Sequence, residues 1–385
     1  LQWKYEEDFM VPEEVYQHMK DKVLELGEEE ILWNEKIKEY QDKYPKEYEE
    51  FQRSLEGVIP EDLLESDAFY EFEKDDASRG YSGTVLNRLA KEMPHLIGGS
   101  ADLAPSNKTT IDGRENMRKD HMAGRNIQFG IREHAMAAIS NGIALHGGLI
   151  PFCATFFVFS DYLKPAIRLS ALMNQRVIYI FTHDSIGVGE DGPTHEPIEQ
   201  LAMMRAMPNT AVYRPADGRE TAAAYKFALE NTGGPTALVL SRQKLPNLEN
   251  TQKDISKGAY VYKDFGEHPE LILMASGSEL YPTIEAAKKI HSKGYDLRVV
   301  SVPSLDQLNL QDQSYIDEIF PKNIRKRVSI ECLSTFGWHR YTGLEGLNIG
   351  MDQFGASGNG DALMKHFGFD KESITKRIVA YLEEE

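Results

Sequence analysis

Residues 177–197 read VIYIFTHDSIGVGEDGPTHEP, an apolar run that passes directly into a polar, glycine-bearing loop. The apolar run is typical of a strand buried in a parallel sheet. The loop holds two histidines, His183 and His195, and carboxylates that include Asp191. Ligands of open α/β sheets bind beyond the carboxyl ends of the strands, on loops of this kind. The stretch therefore predicts an α/β fold with a binding site; the alternative is a plain connection in which Thr194 or Asp191 caps the next helix.

Strand-like and helix-like segments alternate around this stretch, from residue 77 to residue 250. Helices are predicted over about 195–206 and over Gly218–Asn231, the latter capped by Asp217. The alternation is typical of a parallel sheet with helices on both faces. Short apolar runs predict its strands at 95–99, 126–130, 149–155, 177–182, 210–214 and 236–241.

Residues 251–385 predict a second unit of the same class. Strands at 271–275 and 297–302 flank a helix over about 279–293, which Gly294 ends. The segment Ser276–Glu279 at the start of that helix is either an anion site built from backbone N–H groups or a plain capped helix, and the capped helix is favoured.

Residues 1–76 carry charge runs and no strand pattern. They predict a helical linker arm with solvated charged faces, in which Gly27 and Pro45 separate the helices. The predicted fold class is therefore α/β, with two consecutive parallel-sheet domains, 77–250 and 251–385, after this arm.

Composition limits the partners. The net charge is −18, from 43 basic and 61 acidic side chains, whereas binding to a phosphate backbone needs clusters of Lys and Arg; nucleic acid is therefore not expected. An acidic chain that binds phosphorylated ligands must gather its positive groups locally. The two cysteines, Cys153 and Cys332, make no disulfide framework and predict a reducing cytoplasm.

One segment is long enough to suggest a membrane span: residues 134–160 contain no Asp, Glu, Lys or Arg. Gly147, Gly148 and Pro151 suit a lipid-facing helix poorly. A buried helix over about 133–146, followed by a buried strand, is the preferred interpretation, and no membrane partner is expected.

The loop after residue 181 resembles the sugar-binding loop of transketolases, the thiamine-diphosphate enzymes that transfer two-carbon ketol units between phosphosugars. Three further segments resemble the family in the same order, namely GGSADLAPSN at 98–107, GIREH at 130–134 and LSRQ at 240–243. Together they cover about residues 78–245, and the flanks match more weakly. The chain is identified as a member of this family, of bacterial type. The resemblance implies a thiamine-diphosphate pyrimidine-binding fold followed by a transketolase C-terminal fold.

The resemblance also implies an activity. It is transfer of a ketol unit from a ketose phosphate of the xylulose 5-phosphate type to an aldose phosphate, in the pentose phosphate pathway. The implied cofactors are thiamine diphosphate and Mg²⁺ or Ca²⁺. The implied assembly is a cytoplasmic homodimer with the active site at the subunit interface.

By resemblance, Glu133 is the catalytic glutamate that hydrogen-bonds the pyrimidine ring and shares a proton with it. From spacing alone it would be a dipole partner at a helix start. Phe159 is implied to stack on the pyrimidine, with Phe156 and Tyr162 lining the pocket, although phenylalanines so close together usually pack a core. Asp102 is implied to support the pocket; alternatively it only forms a turn.

The family's phosphate-binding and sugar-binding positions correspond here to Arg79, Ser106, His183, Asp191, His195 and Arg242. Arginine grips phosphate through paired hydrogen bonds, which suits a phosphorylated substrate. His183 and Asp191 match residues that contact sugar hydroxyls, with Asp191 associated with the C2 hydroxyl of the donor. Beside Arg79, the pair Gly80-Tyr81 differs from the small polar residues usual in the family.

The family's Gly-Asp-Gly and Asn-Asn motif for metal and diphosphate is missing, as are its amino-terminal active-site histidines. We therefore expect a chain that lacks the N-terminal diphosphate-binding domain, contributes no metal ligand and is inactive alone. The chain is then either a truncated or proteolysed one or one subunit of a split enzyme, and the opening Leu1–Tyr5, which resembles an interdomain linker entered mid-sequence, favours truncation.

Two alternatives stay open. Dihydroxyacetone synthase shares much of the site, whereas other relatives, deoxyxylulose-phosphate synthase and the pyruvate dehydrogenase β subunit, are disfavoured by His183-Asp184 and by the segment 100–107. From another class, a non-catalytic assembly or split-subunit module fits a chain that carries only part of an active site.

Overall fold

The computed structural model of the chain describes residue 4 and residues 7–384. Of the opening Leu1–Tyr5 motif, only Lys4 lies among the described residues. The chain divides into two compact units, Leu1–Val58 and Ile59–Glu385.

The first unit is helical, as the charge-rich arm predicts. Its helices are α1 (Glu13–Lys43) and α2 (Pro45–Glu56). The prediction that Gly27 separates two helices is wrong, because α1 runs through it. A glycine inside an exposed helix costs only about 1 kcal/mol relative to alanine. Pro45 does begin a new helix, since it has no N–H to donate and fits the first helical position.

The second unit contains two sheets. Within the described residues the larger has six parallel strands in the order β3-β2-β4-β5-β7-β6. The strands lie close to their predicted places and are β2 (Leu96–Ser100), β3 (Asn126–Gln128), β4 (Ile150–Phe156), β5 (Ile178–Thr182), β6 (Ala211–Tyr213) and β7 (Thr236–Leu240). A separate short pair, β1 (Asp76–Ala77) and β8 (Lys244–Leu245), is antiparallel.

Helices precede these strands and lie between them along the chain. They are α3 (Glu61–Glu65), α4 (Asp67–Tyr70), α5 (Ser78–Glu92), α6 (Ala104–Asn107), α7 (Glu133–His146), α8 (Ser160–Leu172), α9 (Gln200–Arg205) and α10 (Gly218–Glu230). As predicted, the side chain of Asp217 caps α10 by accepting a hydrogen bond from the backbone N–H of Glu220.

Alternate residues of the central strands enter two separate cores, because successive side chains point to opposite faces of a sheet. Ile178 and Ile180 of β5 pack in a core with residues of α5 and α10. Tyr179 and Phe181 pack in another core with residues of α7 and α8. The sheet is therefore covered by helices on both faces, as the alternation of elements predicts.

The second sheet has the order β13-β12-β10-β11-β9 among the described residues. Its strands are β9 (Tyr260–Phe265), β10 (Leu271–Ala275), β11 (Leu297–Ser301), β12 (Lys326–Ile330) and β13 (Leu347–Ile349). Its helices are α11 (Leu280–His291), α12 (Leu305–Leu308), α13 (Gln313–Ile319), α14 (His339–Thr342), α15 (Gly360–His366) and α16 (Lys371–Glu383). The predicted α/β class is confirmed, but this sheet is mixed, since β9 runs antiparallel to β11.

Two predictions about helices need correction. The helix expected over 195–206 begins only at Gln200, because the chain before it, including Pro197, forms an irregular loop. Neither Thr194 nor Asp191 therefore caps it. The helix expected to be buried over 133–146 has those bounds, but Ile139 is 50% exposed and Leu145 55% exposed.

The two sheets are joined by a buried arginine. Arg214 follows β6, and its guanidinium donates to Asp184 at 2.9 Å and to Glu279 at 2.5 Å. It also donates to the carbonyl oxygen of Ser276 at 2.9 Å. Segment 276–279 is thus filled by protein contacts, which disfavours an anion site, but no side chain caps the helix start at Ser276 or Glu279. Gly277 is required here, because its φ is 54° and a Cβ would lie 2.8 Å from the Arg214 side chain.

We expect Arg214→Met to lower the free energy of unfolding by about 3–5 kcal/mol, since the substitution leaves Asp184 and Glu279 buried without their counter-charge. Arg325→Met is the matched control. The ion pair of Arg325 with Glu345 is exposed, and its loss should cost about 1 kcal/mol or less. Urea denaturation followed by tryptophan fluorescence and circular dichroism measures both. Equal losses would mean that the buried ion pairs do not hold the sheets together.

Candidate functional site

The loop between β5 and α9 lies at the middle of the larger sheet, because β5 is hydrogen-bonded to β4 and β7. A 3-10 turn, Ile186–Val188, forms part of it. The loop is buried as far as Gly189, whereas Asp191 is exposed and His195 is partly exposed. It therefore begins inside the protein, reaches the surface around Asp191 and returns to the interior at Glu196.

The side chain of His183 is held in one tautomer. Its Nδ1 lies 2.7 Å from the hydroxyl oxygen of Thr182. That hydroxyl donates its one hydrogen to Oδ1 of Asn107, also at 2.7 Å, so the imidazole is the donor in the first bond. His183 therefore carries a proton on Nδ1 and presents Nε2 as an acceptor.

The hydrogen-bond chain continues to β2. Asn107 Nδ2 donates to Ser100 Oγ at 3.0 Å, and Ser100 pairs with Thr109 at 2.7 Å. Asn107 is fully buried. A buried network whose members are all satisfied fixes side chains in one arrangement. The orientation of His183 is therefore determined by residues of the 98–107 segment.

The backbone of His183 is in the left-handed region, with φ 63°. This conformation is uncommon outside glycine, and it persists where the surroundings hold it, often at functional sites. Burial, and then the charges of Arg79, Arg242 and His195, lower the pKa of His183 to about 3. The ring is neutral at physiological pH and can accept a hydrogen bond from a ligand.

Arg79 lies beside this ring. Its Nη1 donates to the carbonyl oxygen of Ser106 at 2.8 Å and lies 3.4 Å from Nε2 of His183. Burial and the charge of Arg242 lower the pKa of Arg79. Ser106 thus contacts Arg79 through its backbone.

Two serines bring Arg79 and Arg242 together. Ser78 and Ser241 share a hydrogen bond between hydroxyls at 3.0 Å, and the backbone N–H of Ser241 donates to Ser78 Oγ at 2.7 Å. Each arginine directly follows one of these serines in the chain. Arg242 is exposed and, among the described residues, forms no ion pair. A patch of positive charge therefore lies beside His183 in a chain whose net charge is −18.

Aromatic rings occupy the space between the two histidines. Phe156 packs against His183 with ring centroids 3.7 Å apart, and stacks on Phe159 at 6.0 Å with an interplanar angle of 9°. Phe159 in turn contacts His195 edge to face at 5.4 Å. Tyr162 lies 6.0 Å from Phe159 and is 64% exposed.

Glu133 and Asp102 are not part of this contact network. Glu133 is the first residue of α7 and is partly exposed, and no hydrogen bond or ion pair joins its side chain to another described residue. Burying a carboxylate without a partner in this apolar run would be costly. Contact of the Glu133 side chain with solvent relieves that cost. Asp102 is exposed with φ 61°, a conformation that Asp tolerates in turns.

The structure thus brings together seven of the predicted site residues: Arg79, Ser106, Phe156, Phe159, Tyr162, His183 and His195. Arg242 acts on them through its charge. Asp191 stands on the exposed part of the loop and contacts none of them. Sequence reasoning missed the supporting residues Ser78, Thr182, Asn107 and Ser241, since short hydroxyl and amide side chains give no periodic signal.

A further acid in this loop also escaped notice. Glu196 is 2% exposed. Burial raises its pKa to about 7, and the backbone N–H groups of Ala356 and Gly189 offset part of that rise. The sequence feature that could have identified Glu196 is its position directly after His195.

Two features are absent from the described part of the chain. No group of three or more His, Cys, Asp or Glu residues there is arranged to hold a metal ion. No described helix is long and apolar enough to cross a membrane.

Three family models match the chain. They are described as the transketolase pyrimidine-binding domain, over residues 76–247, the transketolase-like C-terminal domain, over 258–370, and the transketolase thiamine-diphosphate-binding domain, over 1–60. The last match contradicts the prediction that the chain lacks the N-terminal diphosphate-binding domain. Residues 1–60 suggested only a linker because they are charged helices without a cofactor motif.

Whole proteins are similar as well. A transketolase of Bacillus subtilis is 50% identical over 99% of this chain, which spans 58% of that protein. A Pichia stipitis transketolase structure, solved with sedoheptulose 7-phosphate, is 39% identical with a TM-score of 0.91, over 98% of this chain and 56% of its own. A structure described as a split-gene transketolase in an inactive β4 tetramer is 27% identical with a TM-score of 0.65, over 80% of this chain and 99% of its own.

We expect Thr182→Val to destabilise the protein by about 1–3 kcal/mol, because it leaves Asn107 Oδ1 and His183 Nδ1–H buried without partners. Thr182→Ser keeps the hydroxyl and should resemble the wild type. Urea denaturation gives the stabilities, and ¹⁵N NMR of the imidazole gives the tautomer. If Thr182→Val retained both the wild-type stability and the Nδ1–H form, the hydrogen-bond chain would not determine the orientation of His183.

Proposed function

This chain belongs to the transketolase family, and we propose that, in the complete protein, it transfers a two-carbon ketol unit from a ketose phosphate to an aldose phosphate with thiamine diphosphate as cofactor. The chain spans 58% of its Bacillus subtilis relative, so the activity of the whole protein is an inference from this part. We further propose a place in the pentose phosphate pathway, with a donor of the xylulose 5-phosphate type.

The observation that carries the proposal is the joint position of two arginines and a neutral histidine. Arg79 and Arg242 are held side by side by the Ser78–Ser241 pair. An anionic phosphate is the group such a patch binds best, through charge-assisted hydrogen bonds. His183 Nε2 accepts a long hydrogen bond from Arg79 at 3.4 Å, and we propose that a sugar hydroxyl of the same ligand takes the place of this bond. A phosphorylated sugar needs both.

The residues present fit the pyrimidine half of thiamine diphosphate. Phe159 stacks on Phe156 yet remains partly exposed, so one ring face is open to a flat heteroaromatic group. Tyr162 stands beside it, and Asp102 is proposed to support the same pocket. When bound, the cofactor supplies the nucleophilic carbon that accepts the ketol unit. Mg²⁺ or Ca²⁺ is proposed to accompany the diphosphate. No cluster of the described residues is arranged to hold a metal ion, so its ligands must come from elsewhere.

Glu133 is proposed as the residue that holds a proton on the pyrimidine. Its carboxylate is unpaired and partly exposed at the start of α7, so a ligand can hydrogen-bond to it without breaking a protein contact. Protein groups in such a site contribute orientation and proton placement. Asp191 is proposed to contact the C2 hydroxyl of the donor, and His195 and Ser106 the rest of the phosphosugar.

A second copy of the chain is the proposed partner, with the active site at the interface between the copies. Helices α7 and α8 pack side by side. Both helices expose apolar side chains to solvent, namely Ile139, Leu145, Tyr162, Leu169 and Leu172. Exposed apolar patches of this kind mark association surfaces. Tyr162 of the proposed pocket lies in this patch, so a partner seated there would adjoin the cofactor.

We keep as proposals the domain limits 1–76, 77–250 and 251–385, and negligible activity of this chain alone. The matched spans 76–247 and 258–370 support the second and third limits. The free, buried thiols of Cys153 and Cys332 support a reducing, cytoplasmic location.

In the complete enzyme, Glu133→Gln should keep the fold and lose most of the activity. The amide is nearly isosteric but cannot share a proton with the pyrimidine. Deuterium exchange at the thiazolium carbon of bound thiamine diphosphate should slow, while circular dichroism and the thermal midpoint stay unchanged. Exchange at the wild-type rate would make Glu133 a helix-start residue without a catalytic role.

Arg242→Ala should raise KM for phosphorylated acceptors by about tenfold or more, because a charge-assisted hydrogen bond is worth about 1.5–3 kcal/mol. Glycolaldehyde, which has no phosphate, should show little change. Asp191→Ala should instead weaken discrimination between donors that differ at C2, since a carboxylate binds a hydroxyl. Steady-state kinetics with paired phosphorylated and unphosphorylated substrates make the comparison. Equal losses on both substrate types for Arg242→Ala would assign phosphate binding to other residues.

A further inference from the structure

The polar loop after β5 does not lie open. A glycine-rich segment, Gly355–Gly360, crosses it. This segment belongs to the carboxy-terminal region, residues 251–385. Ser357 Oγ donates to the backbone carbonyl oxygen of Glu190 at 2.7 Å, and the backbone N–H of Gly358 donates to that of Gly189 at 3.5 Å. Both bonds reach the backbone of the loop immediately before Asp191.

The two segments touch backbone to backbone. A Cβ on Gly360 would lie 2.9 Å from the carbonyl oxygen of Gly187. A Cβ on Gly189 would lie 3.1 Å from the carbonyl oxygen of Gly358, and one on Gly192 would lie 3.1 Å from Cβ of Ser357. Glycine on both sides therefore allows an approach that side chains would prevent.

The contact extends to the far end of the loop. The carboxylate of Glu196 lies directly against Gly355, where a Cβ would come within 2.0 Å of Oε2. Residues on both sides of Asp191 and His195 thus rest on the carboxy-terminal segment. Between these supports the loop forms two turns, in which the backbone N–H of Gly192 donates to the Gly189 carbonyl oxygen at 3.0 Å and that of His195 to the Gly192 carbonyl oxygen at 2.9 Å.

We propose that Gly355–Gly360 is a positioning element of the active site, which sets the placement of Asp191 and His195 toward the sugar. It does so by fixing the loop backbone at Gly187, Glu190 and Gly192, and it makes no contact with the substrate. The inference rests on the proposed function, since it concerns the same sugar-binding loop. It gives the carboxy-terminal region, residues 251–385, a role in substrate binding.

Gly360→Ala tests the proposal with a single methyl group. The φ of Gly360 is not in the left-handed region, and the residue starts α15, where alanine is favourable. The substitution therefore acts through its collision with the Gly187 carbonyl oxygen. Gly233→Ala is the matched control, because its Cβ would meet only Asn231 Oδ1 at 3.8 Å. Ser357→Ala removes the bond to Glu190, and Ser357→Thr restores it.

In the full-length holoenzyme we expect Gly360→Ala and Ser357→Ala to raise KM for the ketose phosphate donor by about threefold to tenfold, the range for one lost hydrogen bond. The value of kcat, the affinity for thiamine diphosphate and the thermal midpoint should stay near the wild-type values. Hydrogen exchange in a peptide covering 186–196 should rise. Ser357→Thr and Gly233→Ala should match the wild type.

The results separate two failures. A wild-type enzyme that transfers no ketol unit overturns the proposed function, and the exchange rates then still report whether the segment fixes the loop. An active wild type with KM and loop exchange unchanged in both variants overturns the positioning role. Parallel losses of cofactor affinity and thermal midpoint also overturn it, because they indicate a general structural effect.

Discussion

A buried cation, Arg214, ties the base of the candidate site to the second sheet. Its guanidinium lies between Asp184, at the start of the polar loop, and Glu279, at the start of α11. All three side chains are almost completely buried. Removing the arginine would leave Asp184 and Glu279 buried without their counter-charge, which is far more costly than the loss of a surface pair. The loop is therefore fixed at its base to both sheets.

Because the base of the loop is fixed, its side chains can be prepared for a ligand. His183 follows β5 and precedes Asp184, so the arginine fixes its backbone while Thr182 and Asn107 fix its ring. The Ser78–Ser241 pair does the same for the two arginines from another edge of the fold. A site built in this way loses little conformational entropy on binding. This is why its polar groups converge from segments far apart in sequence.

The strands of the larger sheet could be predicted because they are short apolar runs bounded by turns. The family motifs were equally visible, and they placed His183, Arg79 and Phe156 near one another. The predictions that failed concerned features that depend on tertiary contacts. A helical pattern predicts burial for α7, but no neighbouring element of the described chain covers Ile139. The partner of Asp184 could not be predicted either, because Arg214, whose charge it neutralises, lies 30 residues away in the chain. The role of residue 360 was hidden because glycine carries no chemistry of its own.

The positive patch formed by Arg79 and Arg242 also indicates which kind of ligand suits this part of the protein. Like charges repel, and the mutual repulsion of Arg79 and Arg242 contributes to the lowered pKa of Arg79. In a chain of net charge −18, carboxylates were abundant, yet none pairs with Arg242 among the described residues. Two cations held together without such a partner are stabilised when an anion arrives, and the phosphate of a sugar provides one. The unneutralised charge would thus contribute to the binding energy, and the exposed apolar faces of α7 and α8 adjoin the aromatic pocket, where a second copy of the chain is the proposed partner.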